Sequence, residues 1–187
     1  MQNATTNEIG IMMIRSGEVH VSDPCYDMEC WCAGTIKNIK NGTWQTHAVR
    51  SDEGDWGVRN AYLIAHHTEN PKRLISSGWV KQKFEVGVDS GQAGIYDKPD
   101  FHGDDGGEYG EDGWYDKNCK LTLDTALSAG ILADQTGVVS SSGYGDGGYA
   151  CLACKDDDGK VVAIMIDFGL EDDDEDEEDE DEDEEDE

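Results

Sequence analysis

Four aspartates stand where strands are expected to end: Asp23, Asp89, Asp146 and Asp167. Brought together, they would make an all-oxygen site of the kind that Ca²⁺ or Mg²⁺ takes. Ser90, Gly145 and Tyr149 lie near two of them in sequence, so Asp23, Asp89, Ser90, Gly145, Asp146 and Tyr149 form the expected pocket for a small ligand or a divalent cation. The competing reading is that each aspartate caps a turn, as short acidic side chains do at strand ends.

The glycine-dense segment GYGDGGY, Gly143 to Tyr149, sharpens that choice. Glycines let backbone N–H groups approach a ligand closely, and successive amides form anion-binding nests. No helix is expected to follow, however, so neither a phosphate loop nor a dinucleotide fingerprint fits. A tight structural corner explains the same residues. The loop GDDGGEYGEDGWYD, Gly103 to Asp116, is acidic enough for calcium but does not match the twelve-residue EF-hand spacing.

Six cysteines offer other chemistry: Cys25, Cys30, Cys32, Cys119, Cys151 and Cys154. Zinc would need Cys30-x-Cys32 and Cys151-x-x-Cys154 to converge. The second pair sits in an apolar strand, where residues three apart point to opposite faces, which argues against the site. A Cys25 nucleophile with His20, His47, His66, His67 or His102 as base lacks any surrounding signature, and a hydrolase using Asp89 or Cys25 needs a geometry that spacing does not supply. The expectation is therefore a chain without catalytic residues.

Charge narrows the partners. The 187 residues carry 43 acids and 14 bases, a formal charge of −29. Residues 171–187 are all Asp or Glu; setting these 17 aside leaves 26 acids against 14 bases, so the remainder is still at −12. Such a balance repels nucleic-acid phosphates and attracts basic proteins. Glu171, Asp172, Asp173, Asp174, Glu175 and Asp176 begin the segment expected to engage such a partner, and a run of like charges this long cannot pack a core of its own. MQNATTNEIGIMMIRSGEV has no basic leader, and no window approaches the roughly 20 apolar residues of a membrane helix, so a cytoplasmic protein without a membrane partner is expected.

The elements that must position these residues read as mainly β. Residues 1–15 are polar and expected to be flexible; residues 16–170 form one β domain. EVHVSD alternates and ends at Asp23-Pro24. TIKNIK and TWQTHAVR flank Asn41-Gly42, a type I′ turn pair, and with VRNAYLIAHH they predict a three-stranded meander over residues 34–67. Lys83 to Ser90 and Gln92 to Asp97 read as two strands broken at Gly91. LTLDTALSA, Leu121 to Ala129, is the expected helix, stopped by Gly130. GYACLACK and KVVAIMIDFG are joined by a turn at Asp156 to Gly159, which makes a β-hairpin. Seven to nine mostly antiparallel strands would pack as a sandwich or strongly bent sheet with one short helix and a disordered acidic C-terminal tail.

The order of these motifs resembles the bacterial and phage domain-of-unknown-function family numbered 4241. The matching residues are Gly17 with Asp23-Pro24, then Val88-Asp89-Ser90-Gly91, then Ser142-Gly143-Tyr144-Gly145-Asp146-Gly147 with Tyr149, and finally Asp158-Gly159 with Ile166-Asp167-Phe168. The cysteines after the entry motif and the acidic extension depart from the pattern. The resemblance implies a mostly β domain and carries no activity. Two functions are then expected of this chain: an interaction protein that binds a basic partner, as an inhibitor or nucleic-acid mimic, or a small-ligand or metal-binding domain at the aspartate corner.

Overall fold

Alternating apolar residues make a strand hold one face to a core, and two such sheets facing each other bury both faces. The computed structural model, which describes residues 4–71 and 78–170, is built this way. A six-stranded antiparallel sheet contains β1 (Thr5–Ile14), β4 (Gly42–Asp52), β5 (Val58–His67), β11 (Val161–Asp167), β10 (Gly147–Lys155) and β6 (Val80–Val88), in that spatial order. Against it lies a five-stranded sheet ordered β3 (Gly34–Lys37), β2 (Glu18–Ser22), β7 (Gln92–Asp97), β9 (Gly137–Ser141) and β8 (Ala129–Ile131). One helix, α1 (Trp114–Leu123), packs beside β8 and β9.

The shared core takes residues from both sheets, among them Met12, Trp44, Leu63, Val86, Ile164 and Ile166 from the larger and Val19, Val21, Ile95 and Val138 from the smaller. Trp44 is fully enclosed and its indole N–H donates to the Lys40 carbonyl at 2.9 Å, so its one polar atom is satisfied. Gly34 is required by packing: a Cβ there would run into the Phe84 ring, which reaches across from β6 to β3.

The expected hairpin forms. β10 and β11 pair from Ala150↔Asp167 to Lys155↔Val161, and Asp156 closes the turn by accepting the N–H groups of Asp158 and Lys160. Cys151 joins the shared core and Cys154 does not, as their spacing on a strand requires.

Three expectations are overturned. Residues 5–14 are a strand, not a frayed end: β1 pairs with β4 from Thr5↔Arg50 to Ile14↔Gly42. Asn and Thr composition hides this because only alternate positions face the core, and the hydrogen-bond partners are 28 to 45 residues away, from Ile14↔Gly42 to Thr5↔Arg50. The meander over residues 34–67 does not exist as one. β3 pairs with β2 in the small sheet, while β4 pairs with β1 and β5 in the large one. Between them Asn38 takes φ 62° and Ile39 bridges to Val161, so Asn41-Gly42 belongs to a crossing between sheets and not to a two-residue turn.

The helix lies at Trp114–Leu123, upstream of Leu121 to Ala129. Its buried face is polar, which removes the apolar periodicity that would have marked it. Asp116, Asn118, Cys119 and Thr122 are enclosed. Asn118 accepts from the Tyr96 hydroxyl at 3.0 Å, Cys119 from the Gln92 amide at 3.2 Å, and Thr122 donates to Gln92 at 3.3 Å. Thr125 then ends the helix by donating to the Leu121 carbonyl and accepting from the Ala129 N–H, and Ala129 enters β8.

Burial also gives the fold an acid limit. His20 is enclosed against Phe101, with ring centroids 4.4 Å apart, and its Nε2 has no partner. Desolvation, helped by Lys98, lowers its pKa to about 4. His47 and His66 are lowered too, chiefly by desolvation, and their Nε2 atoms sit 3.2 Å apart, where two protons cannot be held. The unfolded chain protonates these rings near pH 6.5 and the folded chain does not, so stability is full above pH 6.5 and falls as pH drops toward 4. For His20 alone the loss is on the order of 3 kcal/mol. Melting temperature followed between pH 7 and 4.5 should fall, and His20→Gln should flatten part of that fall; an unchanged slope in the variant would remove His20 from the account.

Candidate functional site

The chain passes from one sheet to the other at several points, and the expected site residues cluster at these crossings. β2 ends at Asp23-Pro24, where proline cannot continue the ladder. β6 leaves the large sheet at Val88 and β7 enters the small one at Gln92, so Asp89, Ser90 and Gly91 span the gap, with Gly91 at φ 69°. β9 and β10 are joined by the glycine-dense segment.

Asp23 holds this corner together. It is fully buried, and its Oδ2 accepts the N–H groups of Asp89 at 2.9 Å and Ser90 at 2.8 Å. Its Oδ1 accepts the Ser90 hydroxyl at 2.6 Å and the Cys25 N–H at 2.9 Å. The third element is tied on through the Ser142 N–H, which donates to the Gly91 carbonyl at 3.1 Å.

The glycine-dense segment is satisfied from within. Gly145 donates its N–H to the Ser142 carbonyl at 2.7 Å. The Gly145 carbonyl accepts from both the Ser142 hydroxyl at 2.8 Å and the Tyr149 hydroxyl at 2.7 Å. Groups so occupied cannot also cradle an anion, and the geometry is that of a turn locked by a phenol.

The four aspartates expected to share a cation have separate environments. Asp23 spends its lone pairs on four donors. Asp167 accepts from the Gly169 N–H at 2.9 Å. Asp89 and Asp146 are exposed and line one cleft. Among the described residues no three His, Cys, Asp or Glu side chains are placed to hold a metal ion together. The expected Ca²⁺ or Mg²⁺ cluster is therefore corrected to a buried staple and two surface carboxylates, because backbone amides had already claimed Asp23. The expected pocket divides in the same way: Asp23, Ser90, Gly145 and Tyr149 brace the corner from inside.

Cys25 is likewise no activated nucleophile. Burial, then the neighbouring Asp23 carboxylate, pushes its thiol well above the ordinary range, and the groups acting on it are Asp23, Ser90 and Asp89, not a histidine. Cys30 and Cys32 have sulfurs 3.2 Å apart in the loop after Asp23, and among the described residues Cys151 and Cys154 do not join them in a metal-holding group.

What the surface offers at this end is acidic and aromatic, with Arg59 beside Trp56 and Tyr144. The cleft of about 440 Å³ that contains Asp89 and Asp146 is also lined by Glu85, Tyr26 and Trp31, and Trp31 is 90% exposed. A second exposed group lies beside it: Trp56 and Tyr144 meet edge to face with centroids 6.2 Å apart, and the Tyr144 hydroxyl donates to Glu53 at 2.8 Å. Leu170, the last described residue, packs close to Gly143, next in sequence to Tyr144. The six residues expected to bind a partner, Glu171 to Asp176, lie outside the described residues. Sequence reading passed over Trp31, Trp56 and Glu85, which are ordinary residues until the fold exposes and gathers them.

Replacing Asp23 by Asn should destabilise the domain by on the order of 3 kcal/mol, since an amide turns a donor toward N–H groups that need an acceptor. Asp146→Asn, on an exposed carboxylate, should leave the denaturant midpoint within error. Equal midpoints for the two variants would show that the corner does not depend on Asp23.

Comparison with curated proteins and with solved structures finds no match. A family model does match, over residues 12–166, from within β1 to within β11. It spans most of the chain and includes the Asp23, Asp89-Ser90-Gly91 and Gly143 to Tyr149 elements that form the corner, so the chain belongs to the DUF4241 family, described as proteins of unknown function.

Proposed function

We propose that this chain is a non-enzymatic interaction protein that binds a basic partner protein, with the acidic and aromatic end of the sandwich as the docking face and residues 171–187 as an electrostatic arm. A nucleic-acid-binding protein is the fitting class of partner: its basic groove is shaped for a polyanion, and an acidic chain occupying that groove would inhibit it. The expected setting is the cytoplasm of a bacterium or of a phage-infected cell.

The observation that carries the reading is the position of Leu170, the last described residue. It packs close to Gly143, next in sequence to Tyr144, whose ring meets Trp56, on the end of the molecule that also presents Trp31, Glu85, Asp89 and Asp146. Exposed ion pairs are each worth less than about 1 kcal/mol, so charge alone steers but does not anchor. Tryptophan and tyrosine supply anchoring, because burying a large ring at an interface often accounts for 2 kcal/mol or more. Lysine and arginine side chains also pack on ring faces flanked by carboxylates. Among the described residues no helix is long and apolar enough to cross a membrane, which leaves this end free of any bilayer requirement on helices.

Native mass spectrometry of complexes recovered from cell extract at low salt tests the proposal with three chains: full length, a truncation after Leu170, and Trp56→Ala. The full-length chain should retain a basic protein, the truncation should weaken retention about tenfold or more, and Trp56→Ala should weaken it without changing its salt dependence. Retention by the truncation that is equal at low and high salt would sink the proposal.

A further inference from the structure

The sandwich is charged unequally along its length. β6 carries Lys81 and Lys83 in its first half and Glu85 near its middle and is followed by Asp89, and β10 runs from the glycine-dense corner to Lys155. At the basic end, the open edge of β6 faces the open edge of β3, and the gap forms a groove of about 610 Å³. Its floor is apolar, from Ile36, Val80, Ala153 and Val161, and Lys37, Lys81, Lys83 and Lys155 line it. All four lysines are exposed. Two have only long, exposed pairings, Lys37 with Glu18 at 3.8 Å and Lys81 with Glu85 at 4.0 Å. Among the described residues Lys83 and Lys155 have no ion-pair partner.

A domain at −12 that collects four lysines around one apolar-floored groove has concentrated positive potential at a single place, and low-dielectric walls focus it further. We infer that residues 171–187 dock in this groove of their own domain.

Charge complementarity selects the occupant, since those 17 residues are all carboxylates. Reach permits it. From Leu170 the chain must return along the length of β11, Asp167 to Val161, a distance of about 20 Å at roughly 3.3 Å per residue. Seventeen residues extend up to about 56 Å, enough to make the return and lay several carboxylates along the lysines. The direction is favoured by the groove, whose lysines attract the segment. Tethering makes the contact intramolecular, so weak individual pairs act at a high effective concentration. A basic partner would then compete with the groove for the same carboxylates. The docking itself rests on the charge distribution and not on the partner reading above.

Carbodiimide coupling of the full-length chain tests this, because it joins a carboxylate to a neighbouring amine as an amide, the water lost being carried off as a urea. The chain has no Lys or Arg after Lys160, so trypsin releases Val161 to Glu187 as one fragment and its cross-links are read by mass. Lys98 and Glu18, 2.8 Å apart, provide an internal positive control. At an ionic strength of roughly 10 mM, monomer should show amides from residues 171–187 to Lys83 and Lys155, falling at least fivefold at about 1 M salt while the Lys98 control persists. Lys83→Ser with Lys155→Ser should remove most tail cross-links without redirecting them. Cross-links spread evenly over Lys40, Lys117, Lys120 and Lys160, cross-links found only in dimer, or none beyond the control would overturn the inference. None of these failures bears on whether the full-length chain retains a basic partner from extract.

Discussion

A carboxylate enclosed between two sheets is tolerable only if its oxygens are met by donors, since leaving them bare costs several kcal/mol. Asp23 meets that condition with three backbone N–H groups and one hydroxyl. Those donors come from its own loop and from the crossing between β6 and β7, so one side chain joins the end of the small sheet to the point where the chain changes sheets. The third crossing is fastened to the second through Ser142 and Gly91. With the corner fixed, β6 and β10 are held in register from Gly147↔Val88 to Ala150↔Glu85, and the cleft containing Asp89 and Asp146 acquires its walls.

The same constraint separates structure from surface chemistry. Residue types that suit a cation site also suit a buried turn, and the backbone has the first claim because its N–H groups are obligatory donors. Asp23 is consumed in this way, as are the Gly145 carbonyl and the Tyr149 hydroxyl. Asp89 and Asp146, the two aspartates of the motif that are exposed, are left facing water. Their neighbours Trp31, Trp56 and Tyr144 are large rings that the fold exposes, which is costly in water and is the kind of patch that interaction surfaces carry.

Charge distribution gives the molecule an axis. Acidic side chains and exposed rings occupy the end where residues 171–187 begin, and lysines gather at the far ends of β6 and β10. A formal charge of −12 outside that segment describes the sum and conceals this arrangement. Lys81 and Glu85 still meet at 4.0 Å within β6, so the signs separate along β10, where Asp146 just before the strand and Lys155 at its end lie about 30 Å apart, beyond a Debye length of about 8 Å at physiological ionic strength.

By itself the sequence determined the features that depend on near neighbours. The β10–β11 hairpin was legible because Asp156 to Gly159 can close only a tight turn, and the mostly β class followed from alternation in EVHVSD and KVVAIMID. The order of motifs around Asp23, Ser90 and Gly145 was legible as a corner, though not its purpose. Tertiary structure decided what depends on partners distant in sequence. Thr5–Ile14 became a strand only because β4 supplies its hydrogen bonds, β3 and β4 went to different sheets despite Asn41-Gly42 between them, and α1 buried a polar face that Gln92 and Tyr96 satisfy. The fate of the aspartates was settled in the same way: which carboxylate meets backbone amides and which meets water is fixed by where the chain crosses between sheets, and no spacing along the chain encodes that distance.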